Sequence, residues 1–427
     1  MAQLRAADAD VVIVGAGAVG LCAALYLQRA GRSVTVLDPL PPGHATSFGN
    51  AGFLSAGTNM PVALPGIWRK VPSWLLDRKG PLAVDYGYLP TAAPWLMKWI
   101  AASGKRTVYG ASDALRALHR DTLARYRELL GPEHFADLIR TEGSVNVFYN
   151  DRPGRNELFI RHLIERQGIA VEALGPNELR ELYPEISPAI QRALLFPDNG
   201  WIVSPARLTS TLADLLVSAG GRILPRKAMR IKPLERGFEL FTNLGDLTAN
   251  AVVLATGAWT SRLLSPLGVK LPLETERGYH LMLKGANISP RLPLLLRDGG
   301  MAITPMEDGL RLAGTVEIAG LDAPPNEERA LQLMDRARVV FPSLEASSHS
   351  KWLGFRPSLP DSVAAIGEAP GVPQLFVAAG HGHTGMVGAS ETGRLVRDLV
   401  LGAAPSIDPK PYSLQRFGRN VADRNAA

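Results

Sequence analysis

The chain has 427 residues, 46% hydrophobic and 20% charged, an ordinary globular composition that supports two or three structural units at roughly 100–200 residues each. The net charge of +6 is spread along the chain, without the clustering that a nucleic-acid partner requires, so attraction to an acidic substrate or an anionic membrane surface is what it leaves open. The single cysteine, Cys22, rules out an intramolecular disulfide and argues against a thiolate metal site, so no metal is expected. No run is apolar enough to cross a bilayer, and residues 1–10 lack the apolar stretch of a secretory signal, so a cytoplasmic location is expected.

Residues 11–14 are β-branched without alternation, the pattern of a strand buried on both faces. The glycine-rich residues 15–20 lead into a helix over 21–29 closed by Gly31, and residues 33–37 form a second buried strand ending at Asp38. Residues 39–57, rich in Pro, Gly, Ser and Asn, read as loops. Residues 58–110 carry Trp68, Trp74, Trp95 and Trp99, with Arg69, Lys70, Arg78 and Lys79 among them. Two readings of that segment stay open: a peripheral contact with the inner face of the cell membrane, or a helical cap that buries its aromatics over the substrate side. Residues 111–140 place charge and leucine at helical spacing, giving one or two amphipathic helices. A strand is expected over 144–148, and helices over 157–167 and 177–183, the latter stopped by Pro184. Residues 204–218 read as a helix with Ser204 as N-cap and Pro205 at the first helical position, ended by Gly220 and Gly221. Strands follow over 231–241 and 251–255. Residues 303–311 and 312–318 suggest a hairpin turning near Asp308-Gly309. Residues 326–340 are helical, 375–379 form a strand followed by glycines, and 386–401 form a helix. The tail beyond Ala404 reads as peripheral.

Gly15-Ala16-Gly17-Ala18-Val19-Gly20 lies between the first strand and the first helix. Gly15 permits the tight turn, Gly17 lets the backbone approach a pyrophosphate, and Gly20 lets helix pack closely on strand. The phosphates then meet unpaired N–H groups at the helix N-terminus, and Asp38 accepts from ribose hydroxyls. Strand, helix, second strand and acid stand in the order of a dinucleotide-binding fingerprint. The fingerprint alone does not separate FAD from NAD. Its place at the start of the chain suits FAD, as does the loop at 46–52, whose small residues let backbone approach a large planar ligand.

Further motifs follow in order: Ser47-Phe48-Gly49-Asn50-Ala51-Gly52, Ala255-Thr256-Gly257-Ala258-Trp259, and Gly354-Phe355-Arg356-Pro357 with Pro360-Asp361 and Ile366-Gly367 behind it. The last is Gly380-His381-Gly382-His383-Thr384-Gly385. With these, the chain from Asp10 to about Gly402 resembles the D-amino acid dehydrogenases of the D-amino acid oxidase superfamily. The resemblance implies an α/β fold with a Rossmann-like FAD-binding domain (residues 1–57, 200–268 and 350–410) and a mixed-sheet α+β substrate domain (58–199 and 269–349), both discontinuous in sequence. Residues 411–427 would be a peripheral tail. Beside the fingerprint, it implies FAD contacts from Pro39, Thr46, Ser47, Asn50, Ala51, Gly52 and Leu54, from Ala255, Thr256, Gly257 and Trp259, and from Gly354 and Arg356. Ala228 and Met229 would contact the adenine through their backbone. Gly380 to Met386 would lie against the flavin ring, and the helix they open would aim its N-terminal dipole at the flavin's pyrimidine end.

The family's substrate arginine matches Arg356, whose fork would hold a carboxylate. Two departures bear on the substrate. His383 stands where the glycine oxidase branch has an arginine, and Met301 lies near the place of the oxidases' substrate-binding tyrosine, for which Tyr279 is a candidate substitute. Arg277 and Arg297 line the site entrance or are simply solvated, and His280 reads as a structural residue in a strand. His381 and His383 flank Gly382, but a metal site would need further ligands nearby. The activity implied is FAD-dependent oxidative deamination of a D-amino acid: a hydride leaves Cα for the flavin N5, the imine hydrolyses to a 2-oxo acid and ammonia, and electrons pass to a quinone or another non-oxygen acceptor. Beside it stand oxidation of cyclic imino or N-methyl amino acids, of D-hydroxyproline or glycine/sarcosine type, and a non-catalytic role as the FAD-binding subunit of a larger complex.

Overall fold

The computed structural model describes residues 7–56, 60–69, 71, 80, 82–150 and 152–418. Ala9–Val14 is a strand with nearly every side chain buried, and such a strand belongs inside a sheet. It pairs in parallel with Val34–Leu37 on one side and with Leu247–Leu254 on the other. Arg222–Leu224 extends the sheet beyond Val34–Leu37, and Leu375–Ala379 joins the second half of Leu247–Leu254, also in parallel. The antiparallel hairpin Ala228–Pro233 and Phe238–Thr242, with Ala365–Glu368, completes an eight-stranded sheet. Helices Ala18–Arg29, Pro205–Ser218 and Gly385–Leu401 bury their apolar sides on one face of it. A Cβ on Gly393 would fall 2.7 Å from the backbone carbonyl carbon of Cys22, so the first and last of these helices touch backbone to backbone, with the Cys22 side chain wholly buried.

A second, nine-stranded sheet runs Ser348–Ser358, Glu274–Lys284, Gly309–Ile318, Met301–Met306, Leu294–Leu296, Ser144–Phe148, Arg192–Phe196 and Glu172–Leu174, with Leu82–Val84 beside Gly309–Ile318. One face packs on helix Glu327–Val340 through Leu281, Leu283, Leu312, Leu333 and Ala337. Phe53–Leu54, Gly200–Ile202 and Ile139–Arg140 form a third, short sheet.

Most expected elements are present, with Ser204 accepting from the Arg207 N–H at 3.4 Å as the N-cap. The strand expected over 231–241 is instead a hairpin: Gly237, at φ +76°, turns the chain where a Cβ would collide with the Ala249 carbonyl. Within the tail beyond Ala404, the stretch from Tyr412 to Arg416 is packed on the core. Tyr412 and Leu414 are buried, the Tyr412 hydroxyl donates to the Ala114 carbonyl at 2.7 Å, and Arg416 pairs with Asp361 at 2.8 Å. Trp95 and Trp99, on helix Leu89–Ala102, are buried with ring centroids 6.3 Å apart, as the cap reading requires. Trp68 is exposed beneath Arg69; Trp74, Lys70, Arg78 and Lys79 lie outside the described residues. Among the described residues no helix is long and apolar enough to cross a membrane.

Three histidines are buried. Burial holds His119 down to about 3, with His381 adding to it, and among the described residues neither ring nitrogen of His119 has a hydrogen-bond partner. Burial and then Arg311 hold His280 down to about 3 against the Gly49 carbonyl, and burial alone holds His381 down to about 4. The unfolded chain protonates such groups near pH 6.5; the folded chain does so only at much lower pH. Stability is therefore full above about pH 7 and falls as the solution is acidified, by up to about 1.4 kcal/mol per pH unit for each group. The Tm should drop between pH 7 and pH 5, and His119→Leu should flatten that drop in a thermal-melt series; an unchanged slope would remove His119 from the account.

Candidate active site

A cavity of about 1150 Å³ runs from the fingerprint turn to a wall of Trp95, Leu96 and Trp99. At its first end Gly15, at φ +109°, donates its N–H to the Leu37 carbonyl at 2.8 Å. A Cβ there would collide with the Ala255 carbonyl, and one on Gly20 would collide with the Gly15 carbonyl. Only glycine lets the turn, the helix and the 255 crossing come this close. Gly17, Ala18 and Val19 then border the cavity at the N-terminus of helix Ala18–Arg29, where Ser47 Oγ accepts from the Ala18 N–H at 3.1 Å. Asp38 accepts from the Ala16 and Leu40 N–H groups at 2.8 and 2.9 Å, and each oxygen keeps a lone pair for a ribose hydroxyl. Burial pushes the Asp38 carboxyl above its ordinary value, and these two N–H groups oppose the shift. A cradle closed by any Cβ, a helix N-terminus and an acid at the second strand's end together fit a dinucleotide such as FAD.

The loop after the second strand is tied to the second sheet. Thr46 donates to the Phe355 carbonyl at 2.9 Å, Thr304 to the Ala51 carbonyl at 2.7 Å, and Arg311 to the carbonyls of Phe48 and Asn50 at 3.2 and 2.6 Å. Burial pulls Arg311 down to about 10. Thr46, Ser47, Asn50 and Ala51 line the cavity, as do Pro39, Ala228, Met229, Ala255, Thr256, Gly257, Trp259, Gly354 and the loop His381 to Met386. Four expected positions, Gly20, Gly52, Leu54 and Gly380, are not on the wall. Leu54 is turned into the core by its pairing with Gly200, and its neighbours Phe53 and Ser55 face the cavity instead, as strand alternation demands. Gly52 and Gly380, at φ +78° and +81°, shape the turns behind the wall. The imidazole of His381 meets Thr392 Oγ1 at 2.9 Å, so it anchors the loop to its own helix.

At the far end, Glu274–Lys284 and Ser348–Ser358 pair with Glu276 opposite Arg356 and Gly278 opposite Gly354. A Cβ on Gly278 would collide with the Arg356 guanidinium carbon, so the guanidinium lies over the bare glycine. Its Nη1 donates to the Thr315 carbonyl at 2.8 Å. A bulge aims that carbonyl: the pairing register shifts between Arg277 and Tyr279, and Thr315 adopts φ +57°. His383 Nε2 lies 2.5 Å from Glu276 Oε2. Burial resists charge on Glu276, but His383, then Arg356 and Ser358, outweigh it and hold the carboxyl below its ordinary value. Burial draws Arg356 below its usual value while Glu276 pushes the other way.

Tyr279 borders the cavity, but its hydroxyl is already engaged. Its hydroxyl donates to Glu317 Oε2 at 2.6 Å and accepts from the Asn326 N–H at 3.0 Å. Arg277 Nε lies 3.4 Å from the same Glu317. Alternation puts both on the opposite face of the strand from Glu276 and Gly278. Met301 is wholly buried in the core. The sequence reading missed Glu276, Gly278 and Thr315, and only the glycine inside a strand carried a signal of close approach. Gly278→Ala should therefore displace the guanidinium while sparing the flavin end. The expected outcome is a yellow, folded protein whose kcat/KM falls at least about tenfold, with near-native kinetics counting against the contact.

The signature of the FAD dependent oxidoreductase family matches residues 10–399. A D-amino-acid oxidase of Bradyrhizobium diazoefficiens is 38% identical over 419 residues, covering 95% of this chain and 98% of that protein. A D-amino acid dehydrogenase of Rhizorhabdus wittichii is 31% identical over 421 residues, covering 95% and 100%. The crystal structure of glycine oxidase from Geobacillus kaustophilus shares the fold, with a TM-score of 0.73 at 24% identity over 96% of this chain and 99% of that one. The fingerprint cradle, the cavity it opens on and a match along nearly the whole chain agree: this protein belongs to the family of FAD-dependent oxidoreductases.

Proposed function

We propose that the chain oxidatively deaminates D-amino acids, with FAD along the cavity and electrons leaving to a quinone or another non-oxygen acceptor. The observation that carries the reading is the Arg356 guanidinium, laid on Gly278 in the cavity wall. With Nη1 on the Thr315 carbonyl, it keeps further N–H donors for a substrate carboxylate, and its planar fork fixes both position and rotation. The first sheet and its glycine turn serve the cofactor; the second sheet and the Leu89–Ala102 cap serve the substrate. When bound, FAD supplies the hydride acceptor.

The chain's own residues orient. Arg356 holds the α-carboxylate so that the Cα–H is presented to the flavin. Glu276 fixes His383 through Nε2, and His383 borders the same end of the cavity. Trp95 and Trp99 keep water from that end, which strengthens the charge pairing at Arg356. The amine binds unprotonated, and the imine hydrolyses after leaving.

A second reading concerns the acceptor alone: the 38%-identical relative is named an oxidase, which favours oxygen. Anaerobic bleaching of the bound flavin by a panel of D-amino acids, with the L-enantiomers as controls, tests the main reading, and no bleaching by any D-amino acid would overturn it. Turnover with a quinone or dye should exceed peroxide formation in air; comparable rates would establish the oxidase reading. Arg356→Ala should keep the flavin and lower kcat/KM by two to four powers of ten, from a cost of roughly 3–5 kcal/mol for a carboxylate left without its partner. Arg356→Lys should recover only part, since an ammonium lacks the fork. Steady-state kinetics on both variants decide this.

A further inference from the structure

The sheet that carries the Arg356 contacts carries a second cation on the same face. Arg297 directly follows strand Leu294–Leu296. In register, Leu296 pairs with Met301, and Met301 with Gly314, so Arg297 stands two strands from the Gly314–Thr315 bulge, about 10 Å along the sheet. Alternation settles the direction. Leu296 and Met301 are buried in the core against helix Glu327–Val340, whereas Leu295, Arg297, Ala302 and Ala313 line the cavity. The two alanines between the cations leave the floor open.

Among the described residues, no hydrogen bond or ion pair engages the Arg297 guanidinium. Glu157, one of two acids acting on it, is held by Arg161 at 3.0 Å and by Arg192 at 2.9 Å. The other, Asp298, accepts from the Tyr149 N–H at 2.9 Å. The Arg297 side chain is exposed to the cavity; the protein around that cavity draws it below its usual value, with Asp298 and Glu157 pushing back. A guanidinium exposed to the same cavity as Arg356, on the same face of the sheet, is placed to take an anion that enters there. The cofactor's phosphates do not answer, because the fingerprint turn belongs to the other sheet.

We propose that Arg297 is a specificity-determining residue that takes a carboxylate at the end of the substrate's side chain, so that the preferred substrates are acidic D-amino acids of the aspartate and glutamate type. This rests on the deamination reading above. The α-carboxylate sits on Arg356, the side chain crosses the Ala302–Ala313 floor, and the distal carboxylate meets Arg297. A neutral side chain of the same shape covers Arg297 and displaces its water without pairing the charge, and the difference falls mainly on KM.

The test compares D-glutamate with D-glutamine and D-aspartate with D-asparagine, pairs that differ in charge at nearly constant shape. In the native holoenzyme the better acid should exceed its amide in kcat/KM by at least about tenfold, and Arg297→Met should lower that ratio by at least about tenfold, with Arg297→Lys intermediate. A ratio equal in the native protein and Arg297→Met would overturn the assignment. If no D-amino acid reduces the flavin, the deamination reading fails, and a second readout still decides Arg297: perturbation of the oxidised flavin spectrum by glutarate and by valerate. Tighter glutarate binding that Arg297→Met abolishes supports the second carboxylate site; equal binding of the two acids overturns it.

Discussion

The Arg356 guanidinium can lie on the sheet only because residue 278 has no side chain. That contact constrains much around it. It requires Glu274–Lys284 and Ser348–Ser358 to pair so that Glu276 stands opposite Arg356. It also requires the Gly309–Ile318 strand to bulge at Thr315 and present a carbonyl to Nη1. A Thr at φ +57° is a strained backbone state that its surroundings must hold in place. Its strand partners, Glu274–Lys284 on one side and Met301–Met306 with Leu82–Val84 on the other, hold it.

The two ends of the cavity are locked to each other by an aromatic wedge. Trp352 fills the space that Gly49 and Gly354 leave, since a Cβ at either would collide with its ring. His280 stacks on that ring at 5.0 Å and reaches the Gly49 carbonyl at 3.1 Å. The loop bordering the cofactor cradle is thus braced by the sheet that carries the cations, through Trp352, His280 and the Arg311 contacts. The glycines in Ser47–Gly52 and Gly354–Pro357 answer to this wedge as much as to any ligand.

How much of this is legible in the sequence depends on how local the cause is. The fingerprint turn is legible because its parts lie within one short βαβ unit and each has a steric reason. The Pro205–Ser218 helix is legible through its cap. Glu274–Lys284 is harder. Glu274, Thr275, Glu276 and Arg277 are all polar, yet all are buried, because partners remote in sequence meet them: Tyr88 at Glu274, His383 at Glu276 and Glu317 at Arg277. No local pattern announces such pairs. For the same reason no local signal shows that the Tyr279 hydroxyl is taken by Glu317, or that His381, which borders the cavity as expected, has its ring held by Thr392. The packed stretch around Tyr412 and Leu414 is illegible for a different reason: short Pro-rich turns anchored by a lone Tyr and Leu carry no periodicity.

The backbone contact between Gly393 and Cys22 has a practical side. The only thiol in the chain is sealed between two helices, and burial raises its pKa far above the range in which a thiolate forms. Maleimides and other thiol-directed labels therefore find no target on the folded molecule. A cysteine placed at any exposed site would be the sole point of attachment for a fluorophore, a spin label or an electrode tether, with no need to remove the natural one first.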